Sequence, residues 1–447
     1  GGVMGSKNLK AIAVRGTSRL AISDEESTKK AITKIINALF EKSSRNSSRE
    51  TSARMLRGSE WTRNFSQNGS WDSGPSMLNE RGMFPTRNFQ TGVFPNVEKI
   101  DSNAEDVVVI KHTACYACPI GCSKVRAARK GIFAGYVTDG PEYETMWAFS
   151  AQCGNDDVNA IIAADYLVDN LGLDGISTGN VIGFAMELYQ QGILSREETD
   201  GLDLGWGNTR SMIELVRKIA FRDGFGDMLA EGVARAAKSI GRGAEYYAMH
   251  SKGMELPAYD CRGAQAHGLA HATSNRGGCH ERGYATQELF GVPYWVDRFS
   301  VEGKGALTKY NQDRIAVFDS AVVCVFSSFN TGIELYAEAL KSVTGFEALA
   351  DEKELLLIGE RVWNTERAFN TREGMGRSDD SMPKRMLCEP MPEGPSKGQV
   401  LHLDVLLDQY YTARGWNIRT GYPTRGKLEE LGLAYIADEL ESLGKLG

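Results

Sequence analysis

Three cysteines, Cys115, Cys118 and Cys122, occur together in the string Cys-Tyr-Ala-Cys-Pro-Ile-Gly-Cys. This spacing places three soft thiolates on one short loop, and thiolates that close together either form disulfides or hold a soft metal centre. A [4Fe–4S] cluster needs four thiolates, so the string predicts a fourth ligand elsewhere in the chain. The candidates for that ligand are Cys153, Cys261, Cys279, Cys324 and Cys388.

Two other interpretations of this loop stay open. Zinc suits a C-x-x-C pair, but zinc sites commonly contain two such pairs and only one occurs here. The cysteines could also simply fill positions in a protein core. The iron–sulfur cluster accounts best for the spacing. Eight cysteines, three of them in one loop, fit a reducing compartment better than a disulfide scaffold, so we expect a cytoplasmic protein.

Two acidic residues, Asp169 and Asp174, lie on either side of Gly172. The glycine lets a ligand approach the backbone closely, and the carboxylates accept hydrogen bonds from a heterocycle rich in N–H groups. The alternative is structural, with one aspartate capping a helix and the other placed in a turn. From these residues alone, the structural alternative is the simpler one.

A second polar region, residues 255–284, is rich in glycine and contains His267, His271 and His280. Such a string between helices is typical of a loop that forms part of a buried site. His280 could exchange a proton near pH 7, or it could be a hydrogen-bonded core histidine. His267 and His271 have the i, i+4 spacing of metal ligands. The glutamate of the zincin pattern is absent, however, so we expect them at the surface or behind the site.

Two carboxylates and a glycine turn are further candidates. If residues 141–145 are extended, Glu142 and Glu144 point to opposite sides, so at most one of them reaches a given ligand. The glycine-rich turn of residues 1–8 could bind phosphate through its backbone N–H groups and the Lys7 ammonium.

Length and composition limit the class of protein. The 447 residues exceed what a single compact core usually contains, so we expect two or three domains. Contents of 42% hydrophobic and 24% charged residues are ordinary for a globular protein. The net charge of −7 argues against nucleic-acid binding, because no basic stripe offsets it. No apolar run is long enough to span a membrane.

Hydrophobic periodicity predicts a mainly α fold. Strand signals are confined to residues 9–14 and 132–138. Residues 43–104 predict a long irregular segment that lies across a surface and is anchored there by aromatic side chains. Apolar residues recur at helical spacing in residues 25–42, 157–170, 180–192, 209–221, 226–240, 331–344, 350–370 and 426–444.

Two stretches of the chain are similar to one another. Asp169 is followed five residues later by Asp174, and Asp319 is followed five residues later by Cys324. Each pair precedes a segment that contains Glu-Leu-Tyr. The similarity suggests two related helical halves that face one site, with coincidence as the alternative.

Seven strings, in this order along the chain, together resemble the tungsten-containing aldehyde ferredoxin oxidoreductase family. Each string is only moderately specific, but the ordered set spans nearly the whole chain. The strings are residues 2–12, 115–122, 140–145, 169–174, 255–257, 272–280 and 423–433.

The resemblance implies a mainly α fold of two helical domains, residues 25–247 and 248–447. Residues 1–24 would be a short β remnant of an N-terminal pterin-binding domain. The chain begins with Gly-Gly-Val-Met rather than with an initiator methionine or a signal sequence. We therefore expect that most of the N-terminal domain is missing, and that such a fragment alone would not retain the cofactor.

Members of the family hold one tungsten or molybdenum between two pterins, beside one [4Fe–4S] cluster. The resemblance assigns Cys115, Cys118, Cys122 and Cys324 to the cluster. Glu144 and His280 match polar residues close to the metal, where they would assist proton transfer. The residues assigned to the pterins are Lys7, Asn8, Asp169, Gly172, Asp174, Arg282 and Asp319.

Three positions depart from the pattern of the family. Val322 and Val323 stand where the second acidic motif usually has glycine and leucine, which makes the packing of that pterin different. Cys261 stands where many members have proline. Its thiol either adds a ligand near the site or fills space, and the second interpretation is preferred.

The implied reaction is the oxidation of an aldehyde to a carboxylic acid. Electrons would pass through the cluster to ferredoxin or to an electron-transfer subunit, and a homodimer is compatible with this scheme. One alternative is the tungsten subunit of an anaerobic benzoyl-coenzyme A reductase. The other, from a different class, is a non-catalytic iron–sulfur electron-transfer protein.

Overall fold

The computed structural model describes residues 2–18, 20–40, 59–102, 104, 107–329 and 331–447. The described chain is mainly α-helical, as the sequence predicts. Its α-helices are Gly2–Ser6, Glu25–Phe40, Ser59–Ser73, Pro75–Glu80, Tyr143–Phe149, Val158–Leu171, Gly175–Gln190, Thr209–Phe221, Phe225–Leu229, Val233–Ile240, Gln265–Thr273, Thr286–Leu289, Lys304–Ser320, Val325–Ser328, Ile333–Thr344, Glu352–Arg372, Lys384–Cys388, Leu403–Arg414, Arg425–Glu430 and Ala434–Ser442.

The strands form two small antiparallel sheets. Val109–Thr113, Ser123–Ala127 and Val137–Asp139 form a three-stranded sheet in chain order. His250–Ser251 and Met254–Glu255 pair as a short hairpin. The first hairpin of the three-stranded sheet carries the cysteine loop between its strands.

Most of the predicted helices are present, and two of them are divided. Val158–Leu171 and Thr209–Phe221 follow the predicted bounds, and each begins behind an aspartate or asparagine whose side chain accepts a backbone hydrogen bond. The segment 226–240 breaks before Val233 because Gly232 has a φ of 81°. The segment 426–444 breaks at Gly432 for the same reason, with a φ of 72°.

The predicted strand at residues 9–14 is wrong. These residues have no regular structure, and Ile12 and Val14 are largely exposed. A strand needs a neighbour to accept and donate its backbone hydrogen bonds, and no described strand lies beside this segment. The glycine turn before it contains a short helix, Gly2–Ser6.

The predicted irregular segment 43–104 is only partly irregular. Residues 43–58 lie outside the described residues, and two helices, Ser59–Ser73 and Pro75–Glu80, follow. Periodicity did not indicate them, because Gly69 interrupts the first helix with a φ of 75°. The aromatic anchors are all buried, as expected: Trp61, Phe65, Trp71, Phe84, Phe89 and Phe94. Similarly, the predicted strand 132–138 is reduced to Val137–Asp139 after a short 3-10 turn, Gly131–Phe133.

A large hydrophobic core joins the parts of the chain that hold the site. It includes Leu39 at one end of the sequence and Trp416 at the other, so it extends across the predicted domain boundary at residue 247. Helix Lys304–Ser320 packs against Gln265–Thr273 and Leu403–Arg414 and links the polar glycine-rich region to the end of the chain. None of the described helices is both long enough and apolar enough to cross a membrane.

Candidate functional site

The cysteine loop is held rigidly at the end of a hairpin. A turn brings the Cys118 N–H 3.1 Å from the Cys115 carbonyl, and Ala117 has a left-handed φ of 55°. The buried Lys124 ammonium donates to carbonyls of the loop and to the Ser66 carbonyl, at 3.0 Å for the latter. Gly69 packs directly on the loop, since a Cβ there would meet the Cys122 carbonyl oxygen at 2.9 Å.

Cys324 lies close enough to the loop for the four thiols to interact. Burial, the nearby carboxylate of Glu142 and the proximity of the other three sulfurs all disfavour a thiolate at Cys122 and raise the pKa of its thiol to about 12. Burial also raises the pKa of the Cys324 thiol, while backbone N–H groups of Phe326 and Ser327 act against that rise. None of the eight cysteines is in a disulfide.

The other candidates for the fourth ligand have different surroundings. Cys153 and Cys261 are buried in the main core, and Cys388 is exposed. The Cys279 thiol accepts a hydrogen bond from Arg276 at 2.8 Å. Across the described residues, no group of three or more His, Cys, Asp or Glu side chains could hold a single metal ion. Ligands of an iron–sulfur cluster bind separate iron atoms, so they need not converge on one point.

A cavity of about 420 Å³ lies beside Cys324, and the predicted catalytic residues are part of its lining. Val325 and Phe326, which follow Cys324, line one part of it. Glu144 and His280 line another part, and the Glu144 Oε1 atom is 3.6 Å from the His280 Nε2 atom. Glu142 also lines the cavity. The segment is not extended but helical from Tyr143, so both glutamates reach the same space.

Burial sets the protonation states of this pair. The pKa of the Glu144 carboxyl rises to about 8, mainly because the group is buried and because Glu281 and Asp174 are nearby. The pKa of His280 falls to about 3, because burial and the positive charge of Arg276 both disfavour the imidazolium. The Ala258 N–H donates to the Glu144 Oε2 atom at 2.9 Å, and the Oε1 atom has no hydrogen-bond partner in the described chain.

Three tyrosines surround the pair. The phenol of Tyr143, between the two glutamates, is visible as a candidate in the sequence, but Tyr259 and Tyr284 were not identified from it. The Tyr259 ring stacks on His280 with ring centres 5.8 Å apart, and the Tyr259 and Tyr284 hydroxyls share a hydrogen bond. Tyr143 donates from its hydroxyl to the Ala258 carbonyl at 2.9 Å. Aromatic residues in a glycine-rich string resemble core residues, and their hydroxyls give no separate signal in the sequence.

His267 and His271 lie behind these tyrosines rather than at the surface. Both imidazoles are fully buried, with ring centres 4.4 Å apart, so of the two expected positions they take the one behind the site and not the one at the surface. The His271 Nδ1 atom is 3.1 Å from the Cys261 sulfur. Burial raises the pKa of Cys261 well above its usual value and lowers that of His271 to about 3, so both groups are neutral near pH 7. This supports the space-filling interpretation of Cys261.

The two acidic motifs adopt the same turn. Gly172 has a φ of 71°, and its N–H donates to the Asp169 carbonyl at 3.3 Å. Val322 has a φ of 57°, and its N–H donates to the Asp319 carbonyl at 3.2 Å. The departure from glycine therefore leaves the backbone of the second turn unchanged. Asp174 also caps the next helix by accepting from the Ser177 N–H, as the structural alternative proposes.

Arg282 connects the second acidic turn to the protein body. It donates to the Asp319 Oδ2 atom at 3.1 Å and to Glu366, and its guanidinium lies over the Trp363 ring. The structure therefore brings Arg282 and Asp319 together. Lys7 and Asn8 are exposed, and neither side chain forms a hydrogen bond or ion pair with another residue of the described chain.

Comparison with known proteins identifies the family. The model of "Aldehyde ferredoxin oxidoreductase, domains 2 & 3" matches residues 48–433. The chain belongs to the aldehyde ferredoxin oxidoreductase family. It is 41% identical to the tungsten-containing aldehyde ferredoxin oxidoreductase of Pyrococcus furiosus over 440 residues, covering 97% of this chain and 68% of the relative. The enzyme of the same name from Thermococcus kodakarensis is also 41% identical, with the same coverage of both chains.

Two further similar proteins carry different names. The chain is 33% identical to the "Aliphatic sulfonate oxidoreductase, WOR-like subunit" of Pyrococcus furiosus, over 100% of this chain and 67% of that one. A solved structure, the "Active site complex BamBC of Benzoyl Coenzyme A reductase in complex with 1,5 Dienoyl-CoA", superposes with a TM-score of 0.75. It is 22% identical and covers 100% of this chain and 71% of its own, so this similarity supports the fold alone.

The residues of this aldehyde ferredoxin oxidoreductase family member fit the groups that the family implies. Four reduced thiols, one of them following a left-handed turn and three in a constrained loop, are a suitable donor set for an iron–sulfur cluster. Asp169 and Asp319 are solvent-accessible carboxylates that precede matching turns, where an N–H-rich heterocycle can be bound. Glu144, whose Oε1 atom has no hydrogen-bond partner in the described chain, lines the cavity and offers a further polar contact.

Proposed function

We propose that the protein oxidises aldehydes to carboxylic acids at a tungsten or molybdenum bis-pterin centre. Electrons would leave through a [4Fe–4S] cluster to ferredoxin or to an electron-transfer subunit. The observation that carries the proposal is the Glu144–His280 pair, which lies in a cavity bordered by the residues that follow Cys324.

Each cofactor has a proposed set of binding residues. Cys115, Cys118, Cys122 and Cys324 would hold the cluster. The first acidic turn, with Asp169, Gly172 and Asp174, would bind one pterin, and Asp319 with Arg282 would bind the other. Lys7 and Asn8 stay predicted contacts to a pterin phosphate. When bound, the metal supplies the redox chemistry and the cluster carries the electrons away.

The protein's own groups would manage the protons of this reaction. An aldehyde and water give a carboxylic acid, two protons and an electron pair. Glu144 is protonated below about pH 8, so its carboxyl can donate a hydrogen bond to the aldehyde oxygen. His280 is neutral, so its imidazole can accept a proton from the water that adds to the carbonyl carbon. Their separation of 3.6 Å is slightly longer than a hydrogen bond, so a small movement of either side chain, or one bridging water, would connect them for proton transfer.

The stacked tyrosines would keep His280 in position. Tyr259 lies over the imidazole, and its hydroxyl is fixed by Tyr284, so the ring has little freedom to rotate away from Glu144. A geometry held in advance lowers the barrier, because the groups need not be reorganised during the reaction.

Turnover of the complete, anaerobically purified protein tests the proposal. Reduction of a viologen dye that depends on added aldehyde is the expected result, with His280→Asn lowering the rate by about a hundredfold or more. Undiminished turnover in His280→Asn would remove that residue from the mechanism. His402→Asn, outside the cavity, is the matched control.

A second candidate function is the one that the sequence resemblance leaves open within the family, that of the tungsten subunit of a benzoyl-coenzyme A reductase. The protein would then catalyse a low-potential reduction of a thioester, and no aldehyde would reduce the dye. A non-catalytic electron-transfer protein would instead contain iron without tungsten or molybdenum. Metal content and dye reduction of the same preparation separate the three functions. The eight free thiols support a reducing, cytoplasmic location.

A further inference from the structure

One wall of the cavity is formed by a continuous set of aromatic rings. Trp61 contacts Phe65 and Phe290 with ring centres 4.9 and 5.0 Å apart. Phe329 stacks on Tyr284 at 5.5 Å, with an angle of 17° between the rings. Phe326 completes the set by contacting both Phe65 and Phe329. We refer to Trp61, Phe65, Phe290, Phe326 and Phe329 as the aromatic wall; all five line the cavity.

The aromatic wall comes from three separate parts of the chain. Trp61 and Phe65 belong to helix Ser59–Ser73, Phe290 follows a short helix, and Phe326 and Phe329 follow Cys324. Four of the five rings are almost fully buried, which fixes their positions by packing. A wall of this kind favours a flat, apolar group, because ring contacts and the removal of apolar surface from water both stabilise it.

The charges in the cavity are mostly negative. Glu142, Asp174 and Glu281 line it together with the buried Glu144. The one arginine among the described lining residues is Arg276, and its guanidinium already contacts the Cys279 sulfur and faces the charges of Glu281 and Asp319. His280 is neutral and adds no positive charge. The single guanidinium of Arg276 is outnumbered by the carboxylates of Glu142, Asp174 and Glu281, so an anionic substrate would meet net repulsion in this site.

The size of the cavity agrees with a small substrate. Its volume of about 420 Å³ lies within the range of about 300–1,000 Å³ that is typical of small-molecule sites. The aromatic wall and the Glu144–His280 pair border the same space. An aldehyde bound with its carbonyl at the pair can therefore place its substituent against the rings.

We propose that this site selects uncharged aldehydes with a flat apolar substituent, and that it rejects aldehydes that carry a second, anionic group. The proposal rests on the proposed function and adds the class of substrate. The aromatic wall supplies the attraction, and the carboxylates of the cavity supply the rejection. Benzaldehyde derivatives are the simplest members of the selected class.

A matched pair of substrates tests the effect of charge. 4-Formylbenzamide and 4-formylbenzoate have nearly the same shape and differ by one negative charge. With the complete, cofactor-loaded enzyme, we expect kcat/KM for the amide to exceed that for the carboxylate by about tenfold or more, because one unfavourable group in a pocket has an effect of this size. Viologen reduction measures both rates. Equal or faster oxidation of the carboxylate would overturn the proposal while leaving aldehyde oxidation itself intact.

Substitution of the wall tests the aromatic contribution. Phe329→Ala should lower the ratio of kcat/KM for benzaldehyde to that for acetaldehyde by about tenfold, because one ring contact is lost from the bound aryl group. Phe329→Leu, which keeps most of the volume, covers the case in which the alanine variant fails to fold, and it should lower the same ratio to a smaller extent. Phe369→Ala, at a ring that is 55% exposed, is the control.

The outcomes separate this inference from the proposed function. An unchanged ratio in both Phe329 variants would remove the aromatic wall from substrate selection, even if every aldehyde is still oxidised. If the loaded enzyme oxidises no aldehyde at all, both the proposed function and this inference fail.

Discussion

Glu144 and His280 face one another across 3.6 Å, yet burial keeps them from forming an ion pair. Burial makes the carboxyl a weak acid, with a pKa of about 8, and the imidazole a weak base, with a pKa of about 3. At neutral pH the pair is therefore a carboxylic acid beside a neutral imidazole. Shifted pKa values of this kind are characteristic of catalytic sites, since each group keeps the protonation state that its task requires.

The raised pKa of Glu144 predicts a specific dependence of stability on pH. Its folded-state pKa of about 8 lies above the ordinary value of 4.5, so folding retains a proton that the unfolded chain releases. This contribution to stability is complete below pH 4.5 and is lost as the pH rises to about 8. Glu144→Gln should therefore show a smaller fall in melting temperature than the wild type between pH 5 and pH 8.

The control for this prediction is Glu347→Gln, whose side chain is 82% exposed. It should change the pH dependence very little, because an exposed carboxylate keeps nearly its ordinary interactions with water. If Glu144→Gln and the wild type lose stability in parallel over this pH range, then Glu144 is ionised in the folded protein. The proposed role as a proton donor would then be untenable.

Removal of one thiol tests the assignment of the fourth cluster ligand. Cys324→Ser in the complete protein should lower the iron content to less than half of the wild-type value, because a hydroxyl is a poor substitute for a thiolate ligand. Cys388→Ser removes an exposed thiol elsewhere and should leave the iron content unchanged. Iron determined against protein concentration, with the electron paramagnetic resonance spectrum, measures both variants. Full iron in Cys324→Ser would point to another ligand.

The second acidic turn contains a strained residue. Val322 is β-branched and has a φ of 57°, a backbone conformation that is unfavourable for such a residue. The residue is 92% exposed, so packing of its side chain does not compensate for this strain. Val322→Gly should stabilise the protein by about 1 kcal/mol, since glycine adopts this conformation readily. The melting temperature and the denaturant midpoint both report the change.

The matching turn provides a reciprocal test. Gly172 has a φ of 71°, and a Cβ at that position would meet no atom within 4 Å. Gly172→Val should therefore destabilise the protein through the backbone alone, by about 1–2 kcal/mol. A valine that is tolerated at both positions without cost would show that the turn relaxes out of the left-handed conformation.

The sequence predicted those parts of the fold that are amphipathic. Thr209–Phe221 has one apolar face and agrees with its predicted bounds. Helix Lys304–Ser320 was not predicted, because its buried face carries Asn311, Gln312 and Asp313 instead of apolar side chains. The free-energy cost of burying these polar groups is low because they have hydrogen-bond partners inside the protein. The Tyr410 hydroxyl, for example, donates to the Gln312 side-chain oxygen. Periodicity of hydrophobic residues gives no signal for such a helix.

The candidate site was predictable to a similar extent. The cysteine spacing indicated the loop, and the resemblance to the family indicated Glu144, His280 and Cys324. The roles of the tyrosines at the site were not predictable, because they depend on contacts between segments far apart in the chain, such as Tyr143 with Ala258. The cavity charges could be counted in the sequence, but the sequence gives no information on which of them face the same space.

A buried ionic cluster near the end of the chain gives the largest expected loss of stability. Asp380 is fully buried and forms ion pairs with Lys252 at 2.9 Å and with Arg367 at 2.8 Å, and the Tyr411 hydroxyl donates to it. Burial alone would raise the pKa of Asp380, but the two cations hold it below its usual value.

Asp380→Asn would leave both of these buried cations without a compensating negative charge, and removal of one partner from such a cluster costs about 3–5 kcal/mol. The asparagine keeps the size of the side chain, so the loss would measure charge rather than packing. Asp404→Asn, at a side chain that is 100% exposed, should change the unfolding free energy by less than about 0.5 kcal/mol. Denaturant unfolding of the three proteins at pH 7 provides the comparison. An Asp380→Asn protein as stable as the Asp404→Asn control would mean that Lys252 gives up its proton when unpaired, or that water reaches the cations, since the Arg367 guanidinium stays charged.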